Sequence, residues 1–274
     1  MDLTVTVFFK ILRALKNRII FLFICSALYT SCQTAGPDAE KENNAEKILE
    51  TNVSFAQKQI DAGKPDQALQ VLRPLLSTYP DHPMLHNMLG ITYLALSRAA
   101  HARIFFEKAY KIDKNPMYAL NLSSALIALG SYAKAEKILT PHVKEKKYKN
   151  IERIYHNYAL TFEMRKIFNK AIRYYNKALD ENPSYYLSNL RLGKIYLRMQ
   201  KKTLALSNFK KSMDICRVCF EPVNDVVMIH LEEGSYAKAN EVLRQFLANK
   251  EISDESKNQA NKLFLLTSKV VNQK

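Results

Sequence analysis

The pattern of apolar and polar residues changes twice along the chain. Residues 19–28 form a mainly apolar run, whereas residues 33–47 are polar and have no apolar period. From Ile48 onward, apolar side chains return every three or four positions, which is the period of an α-helix with one buried face. The pattern predicts a leader segment, a flexible tether at residues 32–47 and a helical body that begins at Ile48.

One unit recurs six times in the helical body. It consists of a first helix with a small residue near its middle, a short turn, and a second helix in which an alanine precedes a large apolar residue by four positions. The marker alanines are Ala68, Ala102, Ala135, Ala171, Ala205 and Ala239, with spacings of 34, 33, 36, 34 and 34 residues. The large residues on the same helix face are Leu72, Phe106, Leu139, Tyr175, Phe209 and Leu243. This regularity predicts a stack of helical hairpins.

The turns and the first helices complete a known signature. The turns include 62–65, 129–132 and 233–236, and first helices carry Leu89-Gly90-x2-Tyr93 and Leu192-Gly193-x2-Tyr196. With these features, residues from Ile48 to Ala248 resemble the tetratricopeptide repeat. The resemblance implies an all-α, right-handed superhelical solenoid of about six hairpins at 48–250, with a C-terminal capping helix and tail at 251–274. Repeats one, three and six depart from the signature, since Ala56, Ser123 and Val227 stand where glycine is usual.

The leader has the order of a secretory signal. A basic region ending at Arg18 precedes an apolar run that is too short to span a membrane comfortably, and small residues then precede Cys32. Residues 29–32 resemble the lipobox of bacterial lipoproteins, although that family usually has leucine where this chain has Tyr29. The resemblance implies a signal peptide at 1–31, acylation of Cys32 and, with Gln33 next, an outer-membrane protein that faces the periplasm. The alternatives are an uncleaved signal anchor and ordinary cleavage nearby.

The chain is strongly basic. Its formal net charge is +15, of which residues 1–31 contribute four cations against Asp2, so that 15 − 3 leaves +12 for the remainder. Such a field favours anionic partners, which include acidic proteins, phospholipid head groups and nucleic acid. Since an exported protein does not meet nucleic acid, we predict no nucleic-acid partner and interpret basic clusters such as 144–149 as solvated surface.

No constellation for catalysis emerges from the sequence. It has no phosphate-binding glycine loop, no Gly-x-Ser-x-Gly and no His-Glu-x2-His, so we predict no enzyme, no cofactor and no small-molecule substrate. His82 and His86 have a metal-binding spacing, but Pro83 indicates that a helix only begins there, so no metal site is predicted. Cys216 and Cys219 have two interpretations, a disulfide across the turn between repeats five and six or two small buried thiols.

A partner-binding groove follows from the family resemblance. In tetratricopeptide-repeat proteins the concave face is lined by the fifth, ninth and twelfth positions of each first helix. Here these concave-face positions are Asn87, Ile91, Leu94, Leu120, Ser124, Ile127, His156, Leu160, Glu163, Leu190, Lys194, Leu197, Asn224, Met228 and Leu231. Nine of the fifteen are apolar, which favours a groove for an amphipathic or extended apolar segment. The alternative is that superhelical curvature buries them against adjacent hairpins.

The layout as a whole is similar to that of the pilotin lipoproteins of type IV pilus systems, which help an outer-membrane secretin reach its membrane and assemble. In this hypothesis Cys32 anchors the body, and the groove of repeats two to five binds a secretin segment through apolar burial, with the basic surface assisting encounter. The main alternative is a general envelope scaffold that docks cell-wall enzymes or another outer-membrane complex. An unrecognised hydrolase is a third hypothesis.

Overall fold

The computed structural model of the chain describes residues 37–144 and 148–271. The predicted signal segment and Cys32 lie outside the described residues. The described part forms thirteen α-helices and two short 3-10 helices, and it contains no strand. The helices are α1 (Pro37–Asp61), α2 (Pro65–Leu72), α3 (Pro83–Ala95), α4 (Ala99–Ile112), α5 (Pro116–Ala128), α6 (Tyr132–Leu139), α7 (Ile151–Met164), α8 (Phe168–Glu181), α9 (Tyr186–Arg198), α10 (Lys202–Ile215), α11 (Phe220–Glu232), α12 (Tyr236–Leu247) and α13 (Asp254–Val271).

Hairpins 1 to 6 are the successive helix pairs from α1 and α2 to α11 and α12. The chain divides into two compact units after Phe55, and the packing described below belongs to the unit that begins at Ala56. Within that unit each helix contacts the next along the chain, from α2 and α3 to α12 and α13. A stack of this kind buries one continuous core, because each hairpin covers the apolar face of its neighbour.

Proline and asparagine mark several helix starts. Pro65, Pro83 and Pro116 are the first residues of α2, α3 and α5, where the missing N–H costs no helical hydrogen bond. At α5 the side-chain oxygen of Asn115 accepts a hydrogen bond from the backbone N–H of Met117 at 2.9 Å. Helix α1 likewise begins at a proline, Pro37, and not at Ile48.

The early start of α1 changes the prediction for residues 32–47. A flexible tether was expected there because the segment has no apolar period. Residues 38–47 nevertheless consist largely of alanine, glutamate and lysine, which have high helix propensity and need no buried face to continue a helix. The structure is therefore helical from Pro37 onward.

The turn inside each hairpin contains one residue in the left-handed conformation. These residues are Gly63, Ser97, Gly130, Lys166, Gln200 and Gly234, with φ between 58° and 72°. In hairpin 2 the N–H of Ser97 donates to Leu94 O and the N–H of Arg98 donates to Tyr93 O, both at 2.8 Å, which closes the end of α3. The three glycine turns are visible in the sequence. The other three turns adopt the left-handed conformation with Ser97, Lys166 or Gln200 in place of the usual glycine.

The marker alanines and the large residues four positions later form the centre of each hairpin. All twelve side chains have 0% exposure. Each large residue lies sixteen positions after the small residue of its first helix, since 106 − 90 and 209 − 193 both equal 16. A Cβ atom added to Gly90 would lie 2.5 Å from the Phe106 ring, and one added to Gly193 would lie 2.5 Å from the Phe209 ring. Glycine is required at these two positions because an aromatic ring occupies the space.

The three departures from the family signature follow the same rule. Ala56, Ser123 and Val227 occupy the glycine position of hairpins 1, 3 and 6, and in each of these hairpins the large residue is leucine. A leucine side chain is smaller than a phenylalanine ring and leaves room for a side chain on the first helix. The departures therefore preserve the packing.

Helix α13 covers the end of the stack, as the sequence predicted. It contacts α12 and α11, with Ala260 fully buried and Leu263 and Phe264 packed against the core of hairpin 6. The buried Thr267 hydroxyl also donates to the Asn240 side chain of α12. A terminal helix with a mostly polar outer face shields the last apolar surface of a repeat array.

Candidate partner-binding groove

The concave-face positions divide into a buried row and an accessible row. The fifth positions Asn87, Leu120, His156 and Leu190 are buried, and Glu163 is fully buried as well. The ninth and twelfth positions are half-buried at Ile91, Leu94, Ser124, Ile127, Leu160, Lys194, Leu197 and Leu231, and Met228 is 44% exposed. We define the groove residues as the accessible apolar members, Ile91, Leu94, Ile127, Leu160, Leu197, Met228 and Leu231.

This distribution corrects part of the predicted binding surface. Asn87, Leu120, His156 and Leu190 were assigned to the groove, but they lie between first helices and belong to the interior. The physical reason is contact with the next hairpin: His156 Nδ1 lies 2.9 Å from the Ser188 hydroxyl, and Leu120 packs in the core around α7 and α8. Curvature thus buries one row of the concave face and leaves the other reachable.

A ladder of polar side chains, which was not predicted from the sequence, joins the first helices. Asn121 Nδ2 donates to Asn87 Oδ1 at 2.8 Å, which links α5 to α3. Asn157 Nδ2 donates to the hydroxyl oxygens of Ser124 at 2.9 Å and Ser123 at 3.1 Å, which links α7 to α5. The signal was present, because a polar residue follows the fifth position in four successive first helices, at Asn121, Asn157, Arg191 and Asp225.

In the later hairpins charged groups replace the amides of the ladder. The carboxylate of Glu163 accepts a hydrogen bond from the Tyr175 hydroxyl at 2.6 Å, and the Nη1 atoms of Arg191 and Arg198 lie 3.7 and 3.6 Å from its Oε1. Burial, followed by the nearby Glu163 carboxylate, holds the pKa of the Tyr175 hydroxyl well above its usual value, so the phenol remains a donor. These partners reduce the cost of burying Glu163, whose Oε1 accepts no hydrogen bond.

The next step of the ladder also consists of ion pairs. Lys194 Nζ lies 2.5 Å from Glu221 Oε1 and 3.6 Å from Asp225 Oδ2, which joins α9 to α11. Burial raises the pKa of Asp225, and the nearby Lys194 acts in the opposite direction. Lys194 was predicted as a partner-binding residue, but in the structure it already pairs within the chain.

These contacts divide the groove into two halves. In the uncharged half, α3 and α5 contain no Asp, Glu, Lys or Arg. In the charged half, formed by α7, α9 and α11, acidic and basic side chains pair across neighbouring helices. An apolar segment meets fewer charges to desolvate in the uncharged half.

Two histidines near the groove make structural contacts. Burial, with a smaller effect of the nearby Arg191, lowers the pKa of His156 to about 3, so that its imidazole is neutral at physiological pH. His86 Nε2 lies 2.7 Å from Pro80 O, a contact that stabilises the turn before α3. Within the residues that the structure describes, no group of three or more His, Cys, Asp or Glu side chains could hold a metal ion.

Cys216 and Cys219 are joined by a disulfide in the connection between α10 and α11, with their Cα atoms 5.4 Å apart. Asn249 Nδ2 donates to Arg217 O at 3.1 Å inside the same loop. The loop between hairpins 5 and 6 is therefore fastened both covalently and to the end of α12.

Comparison with known proteins concerns both sequence and fold. Residues 54–116 match the sequence profile of the tetratricopeptide repeat. No curated protein matches the chain significantly. Among the described helices, none is both long and apolar enough to cross a membrane.

Several solved structures share the arrangement of helices. PilW, described as a widely conserved type IV pilus biogenesis factor, superposes with a TM-score of 0.65 at 17% identity, covering 77% of this chain and 97% of PilW. PilF of Pseudomonas aeruginosa superposes with a TM-score of 0.63 at 15% identity, covering 80% of this chain and 99% of PilF. The fold is a tetratricopeptide-repeat solenoid.

The solenoid predicted from the alanine spacing is thereby confirmed. MamA of Desulfovibrio magneticus also has this fold, with a TM-score of 0.52 and 22% identity over 61% of this chain and 94% of MamA. At such identities the likeness concerns the fold alone. Since tetratricopeptide-repeat solenoids bind protein partners, the groove is the first place to look for a function.

Proposed function

We propose that this protein is a lipid-anchored adaptor that faces the periplasm, binds another protein in its groove and assists the outer-membrane localisation or assembly of a type IV pilus secretin. The observation that carries the adaptor role is the set of seven half-buried or exposed apolar groove residues on five successive first helices. Five of the seven pack partly against the hairpin cores, and covering the apolar atoms that remain accessible with a partner's apolar residues is favourable.

The uncharged half of the groove is where we place the partner segment. Ile91 and Leu94 on α3 and Ile127 on α5 present apolar atoms, and covering each side chain fully would contribute about 1.5–3 kcal/mol relative to full exposure. The groove side chains are already half-buried, so each contributes a part of that amount. The half-buried Asn121 on α5 donates one amide hydrogen to Asn87 and carries further hydrogen-bonding groups that a bound backbone could use. These features fit an apolar segment with few charges.

The assignment to pilus assembly is supported by the shared fold, and the lipid anchor is supported by the leader. The superposition with PilW and PilF extends over nearly the whole length of both proteins, and PilW is described as a pilus biogenesis factor. The leader with Cys32 resembles that of bacterial lipoproteins. In this proposal three components cooperate: acyl chains on Cys32 hold the protein at the outer membrane, the solenoid faces the periplasm, and the groove holds a secretin segment.

Crosslinking from the groove tests the proposal. A photo-reactive phenylalanine analogue is placed at Leu94 in the groove and, as a matched control, at Leu265, which is 62% exposed on α13. We expect a secretin to be crosslinked in the envelope of living cells from position 94 and not from position 265. Recovery of cell-wall enzymes or another outer-membrane complex from position 94 would favour the general scaffold, and equal crosslinking from both positions would overturn the groove as the binding site.

Two substitutions separate binding from stability. Leu94→Glu, in the uncharged half, is expected to abolish secretin capture, and Leu197→Glu, in the charged half, is expected to weaken it less. The circular dichroism of the helices should stay unchanged in both, and Leu265→Glu should retain capture. If the groove variants unfold, these leucines belong to the core and not to a binding surface.

Mass spectrometry of the mature N-terminus tests the anchor, since an acylated Cys32 is expected and an unmodified or uncleaved leader would contradict it.

A further inference from the structure

The first and second helices of the solenoid differ in charge. In hairpins 2 to 6 the second helices carry thirteen Lys and Arg against six Asp and Glu, a net charge of 13 − 6 = +7. The corresponding first helices carry four against five, a net charge of 4 − 5 = −1. The basic character of the body is therefore concentrated on the second helices, away from the groove.

The excess charge is spread over all five second helices, with net charges of +2, +1, +1, +2 and +1 from α4 to α12, and hairpins 4 and 5 carry six of the thirteen basic residues. Lys170, Arg173 and Lys177 follow one another at helical spacing along the side of α8 opposite the buried Tyr175, and Lys210 and Lys211 lie on the exposed side of α10. A surface cleft lined by both Leu179 and Lys211 shows that the ends of α8 and α10 are adjacent. We call Lys170, Arg173, Lys177, Lys210 and Lys211 the basic outer face.

Aromatic rings hold part of this face in position. Lys170 Nζ lies 5.3 Å from the centre of the Phe162 ring, and Lys177 Nζ lies 5.1 Å from that of Tyr174. Within the part of the chain that the structure describes, no carboxylate lies within 4 Å of the charged nitrogens of the basic outer face. The exposed carboxylates of the same helices, Asp180, Glu181 and Asp214, reduce the net charge of the basic outer face but form no ion pair with its cations.

Exposed aliphatic side chains stand beside the cations. Leu204 on α10 is 46% exposed and shares the outer side of that helix with Lys211, and Ile104 on α4 is 44% exposed and shares a side with Lys108 and Lys111. Lysines beside exposed aliphatic residues fit a membrane interface, where aliphatic groups enter the head-group region and ammonium groups pair with lipid phosphates. An acidic protein surface would also accept these cations, and the vesicle experiment below distinguishes it from lipid.

We propose that the basic outer face lies against the surface of a bilayer that contains anionic phospholipid. This orientation places the second helices toward the lipid and leaves the groove open to a partner. Each basic residue near an anionic surface contributes about 1 kcal/mol, roughly a fivefold change in partition, and the attraction acts over about one Debye length. The inference is independent of which protein the groove binds.

Chemical footprinting of the full-length chain tests the contact. The purified protein is reconstituted with vesicles of phosphatidylcholine, or of phosphatidylcholine with phosphatidylglycerol, and exposed lysines are acetylated and quantified by mass spectrometry. We expect Lys170, Lys177, Lys210 and Lys211 to react roughly tenfold more slowly on the anionic vesicles, and the difference to disappear at about 0.5 M salt. Lys257 and Lys262, exposed on α13, serve as internal controls and should react equally on both vesicles.

Two variants of equal net charge separate a local face from a general attraction. The triple substitution K170Q, R173Q and K177Q should remove the protection of Lys210 and Lys211, whereas K250Q, K257Q and K262Q should leave it intact. Equal loss in both variants, or equal protection of every lysine in the native chain, would overturn the proposal in favour of net charge alone. If the lysines are protected in isolated envelopes but not on anionic vesicles, the basic outer face binds an acidic protein and not lipid. The crosslinking expected from Leu94 does not depend on any of these outcomes.

Discussion

The six hairpins belong to two types, and the contrast shows what the repeat conserves. Hairpins 2, 4 and 5, the aromatic hairpins, bury a ring at Phe106, Tyr175 or Phe209 and have second helices of 14 residues each. Hairpins 1, 3 and 6, the leucine hairpins, bury leucine at that position and have second helices of 8, 8 and 12 residues. Their turns differ as well, because the left-handed residue is glycine only in the leucine hairpins.

The contrast teaches that the repeat preserves close contact between the two paired positions and not a fixed residue at either. In the aromatic hairpins the first-helix residue that faces the ring is Gly90, Ala159 or Gly193. In the leucine hairpins the first-helix residue that faces the leucine is Ala56, Ser123 or Val227. A close-packed interior accepts such exchanges when the two members of a pair compensate each other. No hairpin has glycine at both the packing position and the turn.

The largest predicted effect comes from converting hairpin 5 to the pair found in hairpin 6. Gly193→Val alone should lower the free energy of unfolding by about 3 kcal/mol, because its side chain would enter the space of the Phe209 ring. Phe209→Leu alone should lower it by about 1.5 kcal/mol through a cavity. The double variant reproduces Val227 with Leu243 and should be more stable than the sum of the two losses predicts.

The measurement is a double-mutant cycle by urea unfolding, with an expected coupling energy of about 2 kcal/mol in favour of the double variant. The matched control introduces Gly193→Val together with Phe106→Leu of hairpin 2, a pair that is not in contact and should give additive losses. Additivity in hairpin 5 itself would show that the two hairpin types do not differ by a compensating pair.

The second prediction concerns the fifth position of the first helix, which is His156 in hairpin 4 and leucine in hairpins 3 and 5. Its folded pKa of about 3 lies below the ordinary value of 6.5, so the unfolded chain takes up a proton first as pH falls. The contribution of a neutral His156 to the free energy of unfolding is complete above pH 6.5. Below that pH the free energy of unfolding decreases by about 1.4 kcal/mol per pH unit, a loss of about 2.7 kcal/mol at pH 4.5.

His156→Leu tests this prediction, since it gives hairpin 4 the residue of its neighbours. The difference in unfolding free energy between the native chain and the variant, measured at several pH values, should change in favour of the variant below pH 6.5. A pH-independent difference would mean that His156 takes up its proton in the folded state as readily as in the unfolded one.

The smallest predicted effect comes from exchanging the left-handed residue of the turn. Gln200→Gly gives hairpin 5 the turn of a leucine hairpin and should raise the free energy of unfolding by about 1 kcal/mol, because φ at this position is 59° and a side chain is strained there. Gly130→Ala should lower it by about the same amount in hairpin 3. Denaturant midpoints measure both, and Ser207→Gly in the middle of α10 is the control, expected to be destabilising. A neutral or destabilising Gln200→Gly would show that the turn is not strained.

The hairpins themselves could be predicted because each depends on contacts within a short segment. The marker alanines and the turn glycines report a helical period and a chain reversal, and both are local properties. The left-handed Ser97, Lys166 and Gln200 could not be predicted from residue type, because the hydrogen bonds at the ends of the first helices set their conformation. The start of α1 at Pro37 was missed because a helix rich in alanine and glutamate shows no apolar period.

The candidate groove was predicted in part. The ninth and twelfth positions, such as Leu94 and Ile127, remain accessible, whereas Leu120 and Leu190 are buried although they carry the same residue types. The difference depends on how closely successive first helices approach, which two hairpins set together. The ladder from Asn87 to Asp225 depends on the same approach and becomes visible only when adjacent helices are placed side by side.

The spacing of the packed residues also determines how the chain folds. The small and large members of each hairpin are sixteen residues apart, and the ladder bond from Asn121 to Asn87 spans 34. Closing such short segments costs little chain entropy, and contacts of low sequence separation are associated with rapid folding. We expect folding to begin in any of the aromatic hairpins and to spread to its neighbours, so that the order of assembly is set by local stability and not by position in the chain.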